Sequence, residues 1–123
     1  MKRPSKITAG AYKPLRFSRN QERDLRILRI IRSIPRGKVS SYSAVAAAAG
    51  YPGCHRLVAQ LLRKAGPGLP WQRVLGASGE IRLRGAAAIE QRTRLELEGV
   101  AFVGSRADLS RHAFQLKPWL LDE

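Results

Sequence analysis

The sequence predicts a mainly α-helical fold with a small β hairpin, arranged as a winged helix-turn-helix. Three observations carry that expectation. Apolar residues recur at helical spacing in two segments, Leu25 to Ile34 and Leu57 to Leu62. Between them lies a run of alanines, Ala44 to Ala49, closed by Gly50 and Pro52. After them, the break at Gly66-Pro67-Gly68 leads into short apolar stretches on either side of Ala77-Ser78-Gly79, the pattern of a hairpin or wing.

The elements follow in order. Met1 to Phe17 is rich in Lys, Arg and Pro without a sustained period and reads as a basic N-terminal arm. Residues 18–123 are expected to form a single domain, since a chain of 123 residues suits one compact core. Ser18 with Gln21 three residues on forms a capping box for a first helix. Leu25, Leu28, Ile31 and Ile34 share its spacing, Arg23, Arg26, Arg29 and Arg32 occupy other faces, and Pro35-Arg36-Gly37 ends it. Ser40 or Ser41 caps a second helix through the alanine series, with Gly50 at the left-handed terminal position. The third runs from about Cys54 to Lys64, with Leu57, Val58, Leu61 and Leu62 as its apolar side. Two short helices joined by a glycine-containing turn form the helix-turn-helix pattern. Val74-Leu75 and Ile81 to Leu83 form the wing. Gly85 leads to a fourth helix, about Ala86 to Glu98, stopped by Gly99, and Val100 to Val103 reads as a short strand.

A formal net charge of +14 makes polyanions the natural partners, nucleic acid first and an anionic membrane second. No apolar run approaches the length of a membrane span, and the basic N-terminus lacks the apolar stretch of a secretory signal. One cysteine excludes an internal disulfide framework, and no Cys/His cluster suggests zinc. The expectation is a soluble, cytoplasmic protein associated with chromosomal DNA (nuclear in a eukaryote), without metal or organic cofactor, and monomeric.

An ordered set of motifs then stands out: Ser41-Tyr42, Gly50-Tyr51-Pro52, Arg56, Pro70-Trp71-Gln72-Arg73-Val74, Ser78-Gly79 and Glu98-Gly99. Together they resemble the C-terminal, DNA-binding domain of O6-alkylguanine-DNA alkyltransferases, over roughly Ser18 to Val103. The chain looks most similar to the alkyltransferase-like proteins, their non-catalytic relatives. The alkyltransferase motif reads Pro-Cys-His-Arg-Val; its cysteine accepts the alkyl group and its histidine helps form the thiolate. Trp71 takes the cysteine position and Gln72 the histidine position. An indole is not an alkyl acceptor of that kind, and a carboxamide is not a general base near neutral pH. Alkyltransferase-like proteins usually keep the histidine, so Gln72 departs even from them. Cys54-His55-Arg56 repeats the letters of the active site. The Ser-Gly turn follows Trp71 at the family spacing, however, so Cys54 is expected to be an incidental, semi-buried thiol.

The resemblance implies a role for each site residue. Arg56 would enter the base stack through the minor groove and fill the gap left by an extruded nucleotide. Its chemistry suits this, since a planar cation stacks on bases and donates hydrogen bonds. Tyr42 would crowd the target's 3′ phosphate and line the base pocket. Trp71 would wall that pocket, the Val74 backbone would meet the flipped guanine edge, and Arg84 would approach the modified oxygen. The third helix would lie in the minor groove, with Arg63, Lys64 and Lys38 on phosphates. The asparagine that braces alkyltransferase sites corresponds to Ala65, and Glu98 matches a relay carboxylate that here is structural. The function so implied is a sensor of O6-alkylguanine in double-stranded DNA that flips the base and passes the lesion to nucleotide excision repair proteins. Two alternatives remain from the residues themselves. One is a winged-helix DNA-binding module or regulator without lesion preference, and the other an alkyltransferase using Cys54.

Overall fold

The computed structural model describes residues 17–119; the expected basic arm, apart from Phe17, lies outside them. Helix α1 spans Arg19–Arg32, strand β1 Ser40–Ser41, α2 Tyr42–Ala48 and α3 His55–Lys64. A single 3-10 turn, Trp71–Arg73, runs into β2 at Val74–Leu75. Helix α4 spans Gly85–Leu97, β3 Phe102–Val103, β4 Arg106–Ala107 and α5 Leu109–His112. The fold is mostly helical with two small sheets, as the sequence implies.

Local chemistry sets the helix ends. Ser18 caps α1 with both halves of the capping box formed: its hydroxyl accepts from the Gln21 N–H, and the Gln21 side chain accepts from the Ser18 N–H. Ser41 takes the cap of α2, accepting from the Ala44 N–H at 3.1 Å. That helix ends at Gly50 (φ +95), with the Gly50 N–H on Ala47 O and the Tyr51 N–H on Ala46 O. This paired closure needs a left-handed residue, which glycine adopts without strain. The same pair of bonds ends α4, from Gly99 to Glu96 O and from Val100 to Leu95 O. It leaves Glu98 as the residue capping α4 at its C-terminal end.

The apolar stripe of α1 is rotated from the one expected. Ile27, Ile30, Ile31 and Ile34 are buried, whereas Leu25 is 46% exposed. The four isoleucines follow the i, i+3, i+4, i+7 row that faces a neighbour, and Leu25 falls off that row. They form one core cluster with Val45, Ala46, Ala49, Val58, Leu69 and Val74. A second cluster gathers Val39, Leu75, Leu95, Val100 and Ala107. Strand β2 links the two: successive residues of a strand point to opposite faces, so Val74 enters the first cluster and Leu75 the second.

The hairpin expected at Val74 to Leu83 lies elsewhere. Val74–Leu75 pairs in parallel with Ser40–Ser41, its two side chains filling both cores. The following Gly76 to Glu80 segment is a tight turn closed by Gly76 N–H to Glu80 O at 2.8 Å. Its return arm bridges Arg106 at Glu80 and forms no ladder with β2. The antiparallel hairpin is β3–β4, pairing Phe102 with Ala107. Gly79 (φ +88) packs against it so closely that a Cβ would stand 2.6 Å from Ala107 O. The segment after β4 also joins the fold. The Val39 N–H donates to His112 O, and the Phe114 N–H to Val39 O at 2.8 Å. Among the described residues no helix is long and apolar enough to cross a membrane.

Candidate nucleic-acid interface

Two adjoining concavities lie between α2, α3, the Gly76–Glu80 turn and the start of α4. The outer cleft, about 500 Å³, is lined by Tyr42, Ser43, His55, Arg56, Ala59 and Arg63 on one side and by Gly76, Ala77, Arg82 and Leu83 on the other. The inner pocket, about 290 Å³, is lined by Tyr42, Ala59, Leu62, Arg63, Trp71, Leu83, Ala87 and Gln91. Tyr42, Ala59, Arg63 and Leu83 belong to both. Ala59 offers no more than a methyl group where α3 forms the shared wall, so a flat ligand can approach the helix.

Arg56 projects from the first turn of α3 at the outer cleft, and Tyr42 starts α2 directly after β1. Burial raises the Tyr42 phenol above its usual value, opposed by the nearby Arg82 and Arg63 guanidiniums. Tyr42 therefore stays a neutral hydroxyl, a hydrogen-bond donor and acceptor. Arg56, Arg63 and Arg82 leave the outer cleft with no carboxylate in its lining. Among the described residues Arg56, Arg63, Lys64 and Arg84 make no ion pair, and Arg82 makes one at 3.4 Å with Glu80. Such a rim favours phosphate oxygens.

Trp71 walls the inner pocket, and the Arg94 guanidinium lies 5.4 Å from its ring centre. Behind it Gln72 and Arg73 are locked to Glu98. Gln72 Nε2 donates to Glu98 Oε2 at 2.7 Å; Arg73 Nε and Nη2 donate to the two Glu98 oxygens, each at 3.0 Å. The Gly37 N–H adds a fourth contact at 3.3 Å, and Arg73 Nη1 reaches Ile34 O at 2.9 Å. Burial pushes the Glu98 carboxyl up, but the hydrogen bonds from Arg73, Gln72 and Gly37 outweigh it and hold it below its usual range. The lock ties the turn that carries Trp71 to the ends of α1 and α4.

Tyr42, Arg63 and Trp71 thus meet in one pocket, with Arg56 at the adjoining cleft. The Val74 side chain is in the core, and its carbonyl accepts from Gln91 Nε2 at 3.0 Å. Arg84 is exposed at the N-terminal cap of α4 and lines neither concavity; its neighbours Arg82 and Leu83 do. Arg63 and Lys64 form the last turn of α3. Lys38 Nζ donates to Arg111 O at 3.2 Å, toward α5. Cys54 packs against the first core cluster and lines neither cavity. Sequence reasoning missed Arg82 and Gln91. The spacing of Ala87, Gln91 and Leu95, four residues apart, was the signal for Gln91: it puts a carboxamide on the apolar side of α4.

Residues 22–100 match the family described as "6-O-methylguanine DNA methyltransferase, DNA binding domain". A DNA base-flipping protein of Vibrio parahaemolyticus serotype O3:K6 is 42% identical over 78 residues, 62% of this chain and 78% of that protein. The structure resembles Schizosaccharomyces pombe Atl1 in complex with damaged DNA containing O6-carboxymethylguanine, with a TM-score of 0.67 and 29% identity over 81% of this chain and 98% of that one. It also resembles the O6-methylguanine methyltransferase of Mycobacterium tuberculosis, with a TM-score of 0.56 and 31% identity over 69% of this chain and 51% of that one. The chain belongs to the 6-O-methylguanine DNA methyltransferase DNA-binding family, on its alkyltransferase-like branch.

Proposed function

We propose that this protein is a non-enzymatic sensor of O6-alkylguanine in double-stranded DNA. The carrying observation is the pair of joined concavities: a cationic outer cleft bearing Arg56 opens beside an inner pocket walled by Trp71 and Tyr42. The cleft takes the phosphate backbone and the pocket takes one extruded base. Arg56 fills the vacated stack, Tyr42 and Trp71 enclose the base, and Arg84 with Arg82 faces the strand beside it. Extrusion costs a few kcal/mol, less where alkylation has already weakened pairing, and this favours the lesion.

No step of alkyl transfer follows. Trp71 and Gln72 hold the positions of acceptor and base, and neither side chain performs that chemistry. The bound lesion is therefore kept, and the protein–DNA complex marks it for nucleotide excision repair. The protein acts as a monomer among chromosomal DNA, in the cytoplasm of a bacterium or the nucleus of a eukaryote. The relatives' names and the damaged DNA in a similar structure support this reading. The test compares affinity for duplexes carrying guanine or O6-methylguanine at one site. Tighter binding to the lesion, without mass gain on Cys54, is expected; equal affinity refutes lesion sensing, and a methylated Cys54 refutes the non-enzymatic reading.

A further inference from the structure

Gln91 is 1% exposed and stands on α4 behind Trp71. Its Nε2 donates to two carbonyls, Gln72 O at 3.1 Å and Val74 O at 3.0 Å. These bonds fix the orientation of the amide, because turning it over would set its oxygen against both carbonyl oxygens. The oxygen, Oε1, is buried and has no hydrogen-bond partner. A buried acceptor left unpaired is costly and calls for a ligand. Gln91 lines the inner pocket, where Tyr42 is the one other residue whose side chain can accept a hydrogen bond.

We propose that Gln91 Oε1 accepts a hydrogen bond from the 2-amino group of the extruded alkylguanine, so that Gln91 determines which bases are held. The inference rests on the lesion-binding reading above. Alkylation at O6 removes the N1 proton and leaves the 2-amino group as the donor on the pairing edge. The cationic lining suits the acceptors of the base, and the neutral Gln91 oxygen suits this one donor. Because the oxygen is covered by its neighbours, a base reaches it only if one of them moves aside.

The test is a cycle of four affinities. Gln91→Lys keeps an N–H donor for the Gln72 and Val74 carbonyls and deletes the acceptor. Each protein is titrated with duplexes carrying O6-methylguanine or O6-methylhypoxanthine, which lacks the 2-amino group. The cost of extruding each base belongs to the DNA and cancels between the proteins. Wild type is expected to lose about five- to tenfold more affinity than Gln91→Lys when the amino group is removed. Equal losses overturn the proposal and leave Oε1 to a trapped water. Circular dichroism checks folding, and Gln91→Met replaces a Lys variant that does not fold. A wild type that fails to separate O6-methylguanine from guanine refutes the lesion reading instead.

Discussion

Replacing Glu98 by Ala should be among the most damaging single changes in this fold, although Glu98 lines neither concavity. The side chains of Glu98 and Arg73 are 6% and 17% exposed, and the carboxylate receives bonds from Gln72, Arg73 and Gly37. Removing it strands the Arg73 charge and unpairs the Gln72 amide in one step. Breaking a buried ion pair from one side costs about 3–5 kcal/mol. For a domain of this size each kcal/mol lowers Tm by about 4–8 °C, so the loss should be at least about 12 °C. The control is Glu90→Ala, which breaks a half-exposed i, i+4 pair with Arg94 worth about 0.3–0.5 kcal/mol. Thermal unfolding followed by circular dichroism reads both variants. Equal shifts in the two would refute the lock as a stabilising element.

Other outcomes follow from the same structure. Glu98 is held below its ordinary value of 4.5, so its contribution is complete above that pH and is lost as pH falls through the lowered folded value. Denaturant titrations between about pH 5 and 2 should show that slope in wild type and a shallower one in Glu98→Gln. Gly79→Ala should destabilise by about 2 kcal/mol or more, measured by urea unfolding, since it combines φ +88 with a collision against Ala107 O. Arg63→Ala should lower the slope of log affinity against log salt by about 0.9. Arg56→Ala should weaken lesion binding about tenfold while leaving that slope nearly unchanged, as loss of a stacking group does. A full unit of slope lost at Arg56 would make it a phosphate contact.

Signals confined to a few residues were legible in the sequence. The Ser18–Gln21 box, the Gly50 turn and the third helix all rest on contacts within five residues, and each appears where the pattern put it. The position of Trp71 in place of a nucleophile was likewise readable. Pairings between distant segments were not. Val74–Leu75 reads as one arm of a hairpin because an apolar pair before a Ser-Gly turn has that form; its true partner, Ser40–Ser41, is set by two cores that the local pattern does not contain. Leu25 was misplaced because several apolar rows fit α1, and only packing selects the isoleucine row. Gln91 escaped notice because a glutamine in a helix normally faces water, and its significance comes from carbonyls of another segment.

The strand-like contacts around Val39 bear on where this protein can be truncated. The match to the family model ends at residue 100, yet Phe114 and His112 complete the backbone bonding of Val39. His112 also bridges two loops: its Nε2 accepts from the Ala101 N–H at 3.0 Å, which leaves its Nδ1 to donate to Gly37 O at 3.1 Å. Gly37 is the residue whose N–H reaches Glu98. A fragment trimmed to the matching residues would therefore lose the support beneath the carboxylate that anchors the Trp71 turn. The family-model match and the packed fold are different lengths of chain, and the bonds beneath the pocket belong to the longer one.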